Sequence, residues 1–327
     1  MHKAIRLSRL SRFALSSCIA AAMLAGCGGS QPPIRPAAMQ QSWVGTGPTL
    51  RYAHSTPLMY VVNTNAYNDV KVYHANGKDP SPIEVISDDL DTPIGDCLDG
   101  AGTLYVVNEP AGPGWVTEFP AGKTEPSKII KKGINTPAFC AIDSNGNLWV
   151  TNIGGQNVTE YKKGSTKPRT IITEGLFYPD GIAIDQSGNM YVANRFTEGT
   201  DSFGPGNVVV YAPHSKSPSR TITDGVVSPV GITVDAAGTL YVTNDTENNV
   251  QEYQSGQSQP YQTITNAMND PIAVTVDGKG YLYVTNIANN AVVEFSPGSV
   301  TPSKREISKG LFEPAGTAYS PPLLPEH

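Results

Sequence analysis

Between Tyr178 and Asn194 the chain alternates apolar and small or polar residues, breaks at Asp185-Gln186-Ser187-Gly188, and returns through Tyr191 and Val192 to Asn194. Ile182 and Ile184 recur at period two, the period of a half-buried strand, so the stretch reads as a β-hairpin. The turn chemistry agrees. An Asp bonds its own backbone two residues on, and a Gly accepts the left-handed conformation that closes the loop. The same turn recurs as Asp99-Gly100-Ala101-Gly102, Asp143-Ser144-Asn145-Gly146, Asp235-Ala236-Ala237-Gly238 and Asp277-Gly278-Lys279-Gly280. The return strand recurs as Tyr/Trp-Val-x-Asn, ending at Asn63, Asn108, Asn152, Asn194, Asn244 and Asn286, at intervals of 45, 44, 42, 50 and 42 residues. A period in the low forties built from short strands predicts propeller blades.

One template covers each repeat. A Pro opens an inner strand, the Asp-x-x-Gly turn follows, and the Tyr-Val-x-Asn strand comes next. A third strand then ends at Tyr73, Phe119, Tyr161, Tyr211, Tyr253 or Phe295, and an outer strand follows Pro82, Pro126, Pro168, Pro218, Pro260 or Pro302. The first repeat starts at its second strand, Leu58 to Asn63, whereas Glu313 to Ser320 is an inner-strand template with no hairpin partner. Joined, the two fragments complete one blade. The expected fold is all-β: a six-bladed β-propeller of four-stranded blades, spanning residues 55–320 and closed by a C-terminal strand that completes the first blade. Closure leaves no inner edge to protect. The tail, 321–327, is too Pro-rich to continue a sheet.

These hairpins resemble the NHL / Tyr-Val-Thr-Asn repeat propellers, with Tyr-Val-Thr-Asn itself at 241–244 and 283–286, and the resemblance covers about residues 56 to 320. It implies a fold more than a function, because this superfold hosts lactonases, lyases, binding modules and scaffolds. The alternative to a binding module is a metal-dependent hydrolase or lyase. Gluconolactonase-like propellers hold a divalent metal with Glu, Asn and Asp in the channel, a trio that does not map onto this chain residue by residue. Virginiamycin-lyase-like propellers have a Trp-Phe-Thr type strand and a catalytic His, and neither is matched here. No catalytic residue is assigned.

The N-terminus breaks the pattern. Residues 1–26 carry Lys3, Arg6, Arg9 and Arg12 ahead of an apolar run from Phe13 to Ala25, the layout of an export signal. Leu24-Ala25-Gly26-Cys27 resembles a bacterial lipobox, which implies cleavage before Cys27 and lipid attachment to its thiol. Residues 27–54 then form a flexible tether, and Gly28 after the Cys implies the outer membrane of the cell envelope. Taking the four signal cations from 23 basic residues leaves 19 against 29 acidic, a net charge of −10. Nucleic acid is excluded as a partner on that balance, since it requires a positive surface. The expected partners are the membrane, through the lipid anchor, and a protein, glycan or small molecule on the loop face.

Residues repeated in every blade serve turns; chemistry is sought where the template is broken. Around the channel mouth, on the face shared by the loops that enter the inner strands, the chain is expected to gather Asp91, Asp180, Asp270 and Glu313, with Asp96 adding a charge where other blades carry Ile182, Ile232 or Val274. Phe139 stands where four copies have Gly and one has Ala. The fourth repeat alone inserts Arg195 to Gly206, beginning Arg195-Phe196. These acids make a cation such as calcium the expected cofactor, if any. Cys97 and Cys140 occupy inner strands of consecutive repeats one template position apart. Neighbouring strand positions face opposite ways, so the two point at each other or directly apart. In an exported protein a disulfide is the expected outcome.

Overall fold

The computed structural model describes residues 56–197 and 205–321. The expected export signal, Cys27, the expected tether, residues 198–204 of the insertion and the end of the tail lie outside those residues. The described chain forms twenty-four strands and no helix. In chain order they are β1 (Leu58–Asn63), β2 (Asp69–His74), β3 (Glu84–Ile86); β4 (Pro93–Leu98), β5 (Leu104–Asn108), β6 (Trp115–Phe119), β7 (Lys128–Ile130); β8 (Pro137–Ile142), β9 (Leu148–Asn152), β10 (Asn157–Tyr161), β11 (Pro168–Ile172); β12 (Pro179–Ile184), β13 (Met190–Asn194), β14 (Asn207–Tyr211), β15 (Arg220–Ile222); β16 (Pro229–Val234), β17 (Leu240–Asn244), β18 (Asn249–Tyr253), β19 (Gln262–Ile264); β20 (Pro271–Val276), β21 (Leu282–Asn286), β22 (Ala291–Phe295), β23 (Pro302–Ile307); and β24 (Pro314–Ser320).

Six four-stranded antiparallel sheets result, and the first has the order β24-β1-β2-β3. Its register sets Tyr60 of β1 opposite Ala318 of β24 and Val72 of β2. The inner strands β4, β8, β12, β16, β20 and β24 contact one another in succession, and β24 contacts β4. The ring is therefore a six-bladed β-propeller closed by the C-terminal strand of the first blade.

The repeated residues are its mechanical parts. Each motif Asn is buried, and its Oδ1 accepts the backbone N–H two residues before the inner-strand Pro. Asp91, Asn135, Phe177, Val227 and Asn269 donate to Asn108, Asn152, Asn194, Asn244 and Asn286 at 3.0 Å, and Phe312 to Asn63 at 3.1 Å. The last bond crosses the closure. Between donor and Pro sits a residue with positive φ in every blade: Thr92, Thr136, Tyr178, Ser228, Asp270 and Glu313. A non-Gly residue there costs about 1–2 kcal/mol, and the Asn bond supports the loop in that form. The turn Asp residues act as expected; Asp99 accepts the N–H groups of Ala101 and Thr103 at 2.9 and 2.8 Å.

The third-strand Tyr or Phe and the last outer-strand Ile of each blade, such as Tyr161, Ile172, Tyr253 and Ile264, are essentially fully buried. Each such side chain stabilises the fold by about 1.5–3 kcal/mol. The tyrosine hydroxyls are not stranded: Tyr161 donates to the Lys132 carbonyl at 2.8 Å and Tyr211 to that of Glu174 at 2.6 Å. Towards the axis the strands approach so closely that a Cβ on Gly181 would lie 2.2 Å from the Val230 carbonyl oxygen. That crowding explains the template Gly two residues after the Pro.

Candidate functional site

The residues singled out from the sequence separate into three places. Asp91, Asp270 and Glu313 are at the loop face, where chain enters the inner strands, but not at matching positions. Asp91 lies two residues before its Pro, whereas Asp270 and Glu313 lie one before and carry the positive φ. Asp91 accepts from the Thr92 hydroxyl at 3.1 Å, and Glu313 accepts from Asn65 at 2.9 Å. Among the described residues no three His, Cys, Asp or Glu side chains come together as a group that could hold a metal ion. The acids picked from the sequence do not form one acidic mouth.

Asp180 is the second case. It follows Pro179, where the other blades have Ile94, Ala138, Val230, Ile272 and Ala315, and it is fully buried. The Arg195 guanidinium, also buried, lies 3.4 Å from Asp180 through Nη1 and bonds Asp245 of the next blade through Nη2. The described start of the insertion is thus pinned across a blade interface. Phe196 packs on Tyr178 with ring centroids 5.0 Å apart, and Arg195 stands 5.9 Å from the Phe196 ring centre. Beyond it, Thr197 bonds the Pro205 carbonyl at 3.2 Å and Pro205 bridges to Val227. Asp245 was missed from the sequence, because the position after the motif Asn varies from blade to blade (Thr64, Glu109, Ile153, Arg195, Asp245, Ile287) and offers no template to break. On the same face Tyr67 and Phe312 meet edge to face at 5.8 Å and remain exposed.

Asp96 defines the third place. A cavity of about 140 Å³ lies on the axis, bounded by the third to fifth residues after the opening Pro of every inner strand. The third-position ring is Asp96, Cys140, Ile182, Ile232, Val274 and Thr317, and the fifth is Leu98, Ile142, Ile184, Val234, Val276 and Tyr319. No residue at the Pro end of these strands lines it, so the cavity belongs to the half of the channel nearer the Asp-x-x-Gly turns. At the second position Phe139, Gly181, Gly231 and Ala273 also line it. Asp96 therefore does not share the loop face with Asp91, Asp270 and Glu313. Neither Asp96 oxygen has a well-formed hydrogen bond. Burial pushes its carboxyl well above the usual range, only partly opposed by the amide N–H groups of Ala318 and Asp96 itself. Thr317 is satisfied separately, hydroxyl to hydroxyl, by Thr285.

Cys97 and Cys140 are joined in a disulfide from β4 to β8, with Cα atoms 5.8 Å apart, in the cavity wall beside Asp96. A wider groove of about 690 Å³ runs between the third and fourth blades at the turns. Two of the cations lining it are already engaged, Arg169 with Glu160 at 2.9 Å and Lys163 with Asp99 at 3.6 Å.

Comparison with known proteins supports this architecture and nothing finer. No protein-family model matches the chain, and no curated protein matches it. Among solved structures, a chain from a nidogen/laminin complex superposes with a TM-score of 0.66 at 18% identity, covering 81% of this chain and 98% of its own. A Bacteroides fragilis protein, whose assignment as a 6-phosphogluconolactonase is itself provisional, superposes with a TM-score of 0.59 at 14% identity, covering 81% and 98%. At these identities the similarity establishes the β-propeller class alone.

Proposed function

We propose that the protein is an exported, lipid-anchored β-propeller that binds a partner through its loop face and performs no chemistry there. The observation that carries this reading is the clamp at the fourth blade. Arg195 spends a buried guanidinium on Asp180 and Asp245, which fixes Phe196 against Tyr178 at the root of the one long insertion. A loop held by a rigid scaffold, with exposed aromatics on the same face, is suited to recognition. The paired charges are engaged with each other, and an acid–base reaction would need them poised toward a substrate. Export and lipidation are supported by the basic n-region and Leu24-Ala25-Gly26-Cys27. That one structural neighbour comes from a protein–protein complex is consistent with a protein partner.

A photo-crosslinking amino acid tests the reading in intact cells. It is placed at Tyr67 on the loop face, or at Val300 in the turn between β22 and β23 on the opposite face; both side chains are exposed. A defined adduct from Tyr67 and none from Val300 is expected. Adducts from Val300 alone, or from neither site, would overturn it.

A further inference from the structure

We infer that the turn-side half of the channel is a binding site for a primary ammonium group on an unbranched alkyl chain, with Asp96 as its anion. The site is separate from the loop face, so either can fail alone. Three observations carry it. First, Asp96 is a buried carboxyl lining a cavity without well-formed hydrogen bonds, an arrangement that costs stability unless something occupies it. Second, the carboxyl shares its level with Cys140, Ile182, Ile232, Val274 and Thr317, and two residues further along the strands the wall is a collar of aliphatic side chains and Tyr319. Third, about 140 Å³ admits a small group and not a drug-sized molecule.

That combination selects among cations. A divalent ion favours several charged oxygen donors, and Asp96 is the one carboxylate in a wall whose other side-chain oxygens are the hydroxyls of Thr233, Thr275, Thr317 and Tyr319. An ammonium needs one anion and tolerates apolar walls around its methylenes, as a lysine stem does. From the third to the fifth strand position is about 7 Å, at roughly 3.3 Å per residue. A short straight chain spans that distance, head on Asp96 and tail at the collar. The source is a free alkylamine or a lysine side chain; the chemistry at Asp96 is the same.

Binding requires the carboxylate, and burial raises the pKa of the empty site, so below that raised pKa the empty site holds the proton. Uptake of the cation therefore releases one proton, and affinity rises about tenfold per pH unit until Asp96 ionises in the empty protein. The other titratable groups near Asp96 are Tyr60 of β1 and Tyr319 of β24. Burial holds both phenols up at about 12, so they stay neutral throughout that range.

Calorimetric titration of the full chain with n-butylammonium, neutral n-butanol and Nα-acetyl-lysine methylamide decides the matter. n-Butylammonium is expected to bind at least ten times more tightly than n-butanol, with proton release. Asp96→Asn should remove the preference, and Val276→Phe, which narrows the collar and leaves Asp96 in place, should weaken binding. Comparable binding of the lysine derivative identifies a lysine side chain as the occupant, and its exclusion identifies a free amine. Equal binding of amine and alcohol, no amine binding, or unchanged binding by Asp96→Asn would each overturn the inference.

Discussion

Asp180 and Asp96 are both buried carboxyls on inner strands, and the molecule treats them in opposite ways. Asp180 shares Arg195 with Asp245, so its charge is matched inside the protein. Asp96 has no cation and faces a cavity, so its charge is suppressed by burial. The first arrangement builds a rigid loop root; the second leaves an unmet requirement on the axis. A buried acid is structural when its partner belongs to the chain. When the partner is missing and there is space beside it, the acid is a candidate for binding.

Removing β24 should have the largest effect. Deleting Glu313 to His327 takes away the strand paired with β1 and the cavity wall at Thr317, Ala318 and Tyr319, while Arg195, Asp180 and Asp245 remain. A cooperative loss of the fold or aggregation is expected in thermal melts, because an inner edge is exposed. A truncated chain melting like the intact one would show that the closure is dispensable.

Arg195→Ala tests the matched pair. It leaves Asp180 and Asp245 buried without their guanidinium, a loss of about 3–5 kcal/mol by denaturant unfolding. A loss under 1 kcal/mol would mean that the clamp is relaxed in solution.

The Cys97–Cys140 bridge closes a 43-residue separation beside Asp96. Chain-entropy reasoning gives it up to about 4 kcal/mol. Cys97→Ser should lower stability by no more than that amount, and thiol titration of denatured, unreduced protein should find neither Cys97 nor Cys140 reactive. Two reactive thiols at these positions would refute the bridge.

Asp96→Asn should act with the opposite sign to Arg195→Ala. A carboxyl whose folded pKa is raised binds more protons folded than unfolded, so it costs stability as pH rises from the unfolded value, about 3.9, to the higher folded one. Asparagine removes that cost. The variant should gain on the order of 1–2 kcal/mol over wild type at pH 8 and little at pH 4, read from paired melts. A variant less stable at pH 8 would mean that the carboxylate is compensated in a way the geometry does not show.

The calcium arm is expected to show the smallest effect. With no three-acid group among the described residues, millimolar calcium should leave the melting temperature unchanged with or without chelator. A clear rise, abolished by Asp96→Asn, would move Asp96 from an amine site to a metal site.

The blade count, the strand order and the closing strand were all legible in the sequence, because each follows from a local rule repeated six times. The alternation sets the strands, Asp-x-x-Gly the turns, and the unpartnered template at Glu313 to Ser320 the closure. Departures from the rule were legible too, and Asp96, Phe139, Asp180 and Arg195 were found that way. What they face was not. Arg195 and Asp245 are fifty residues apart and meet only because the ring stacks one blade on the next. Asp96 and Asp180 lie in the same template two positions apart from each other; one reaches the cavity and the other an interface, because a bulge after the Pro shifts the register there. Local chemistry is written in the repeat. Pairing of charges across blades depends on ring closure and the close approach of the inner strands, and only the tertiary structure decides it.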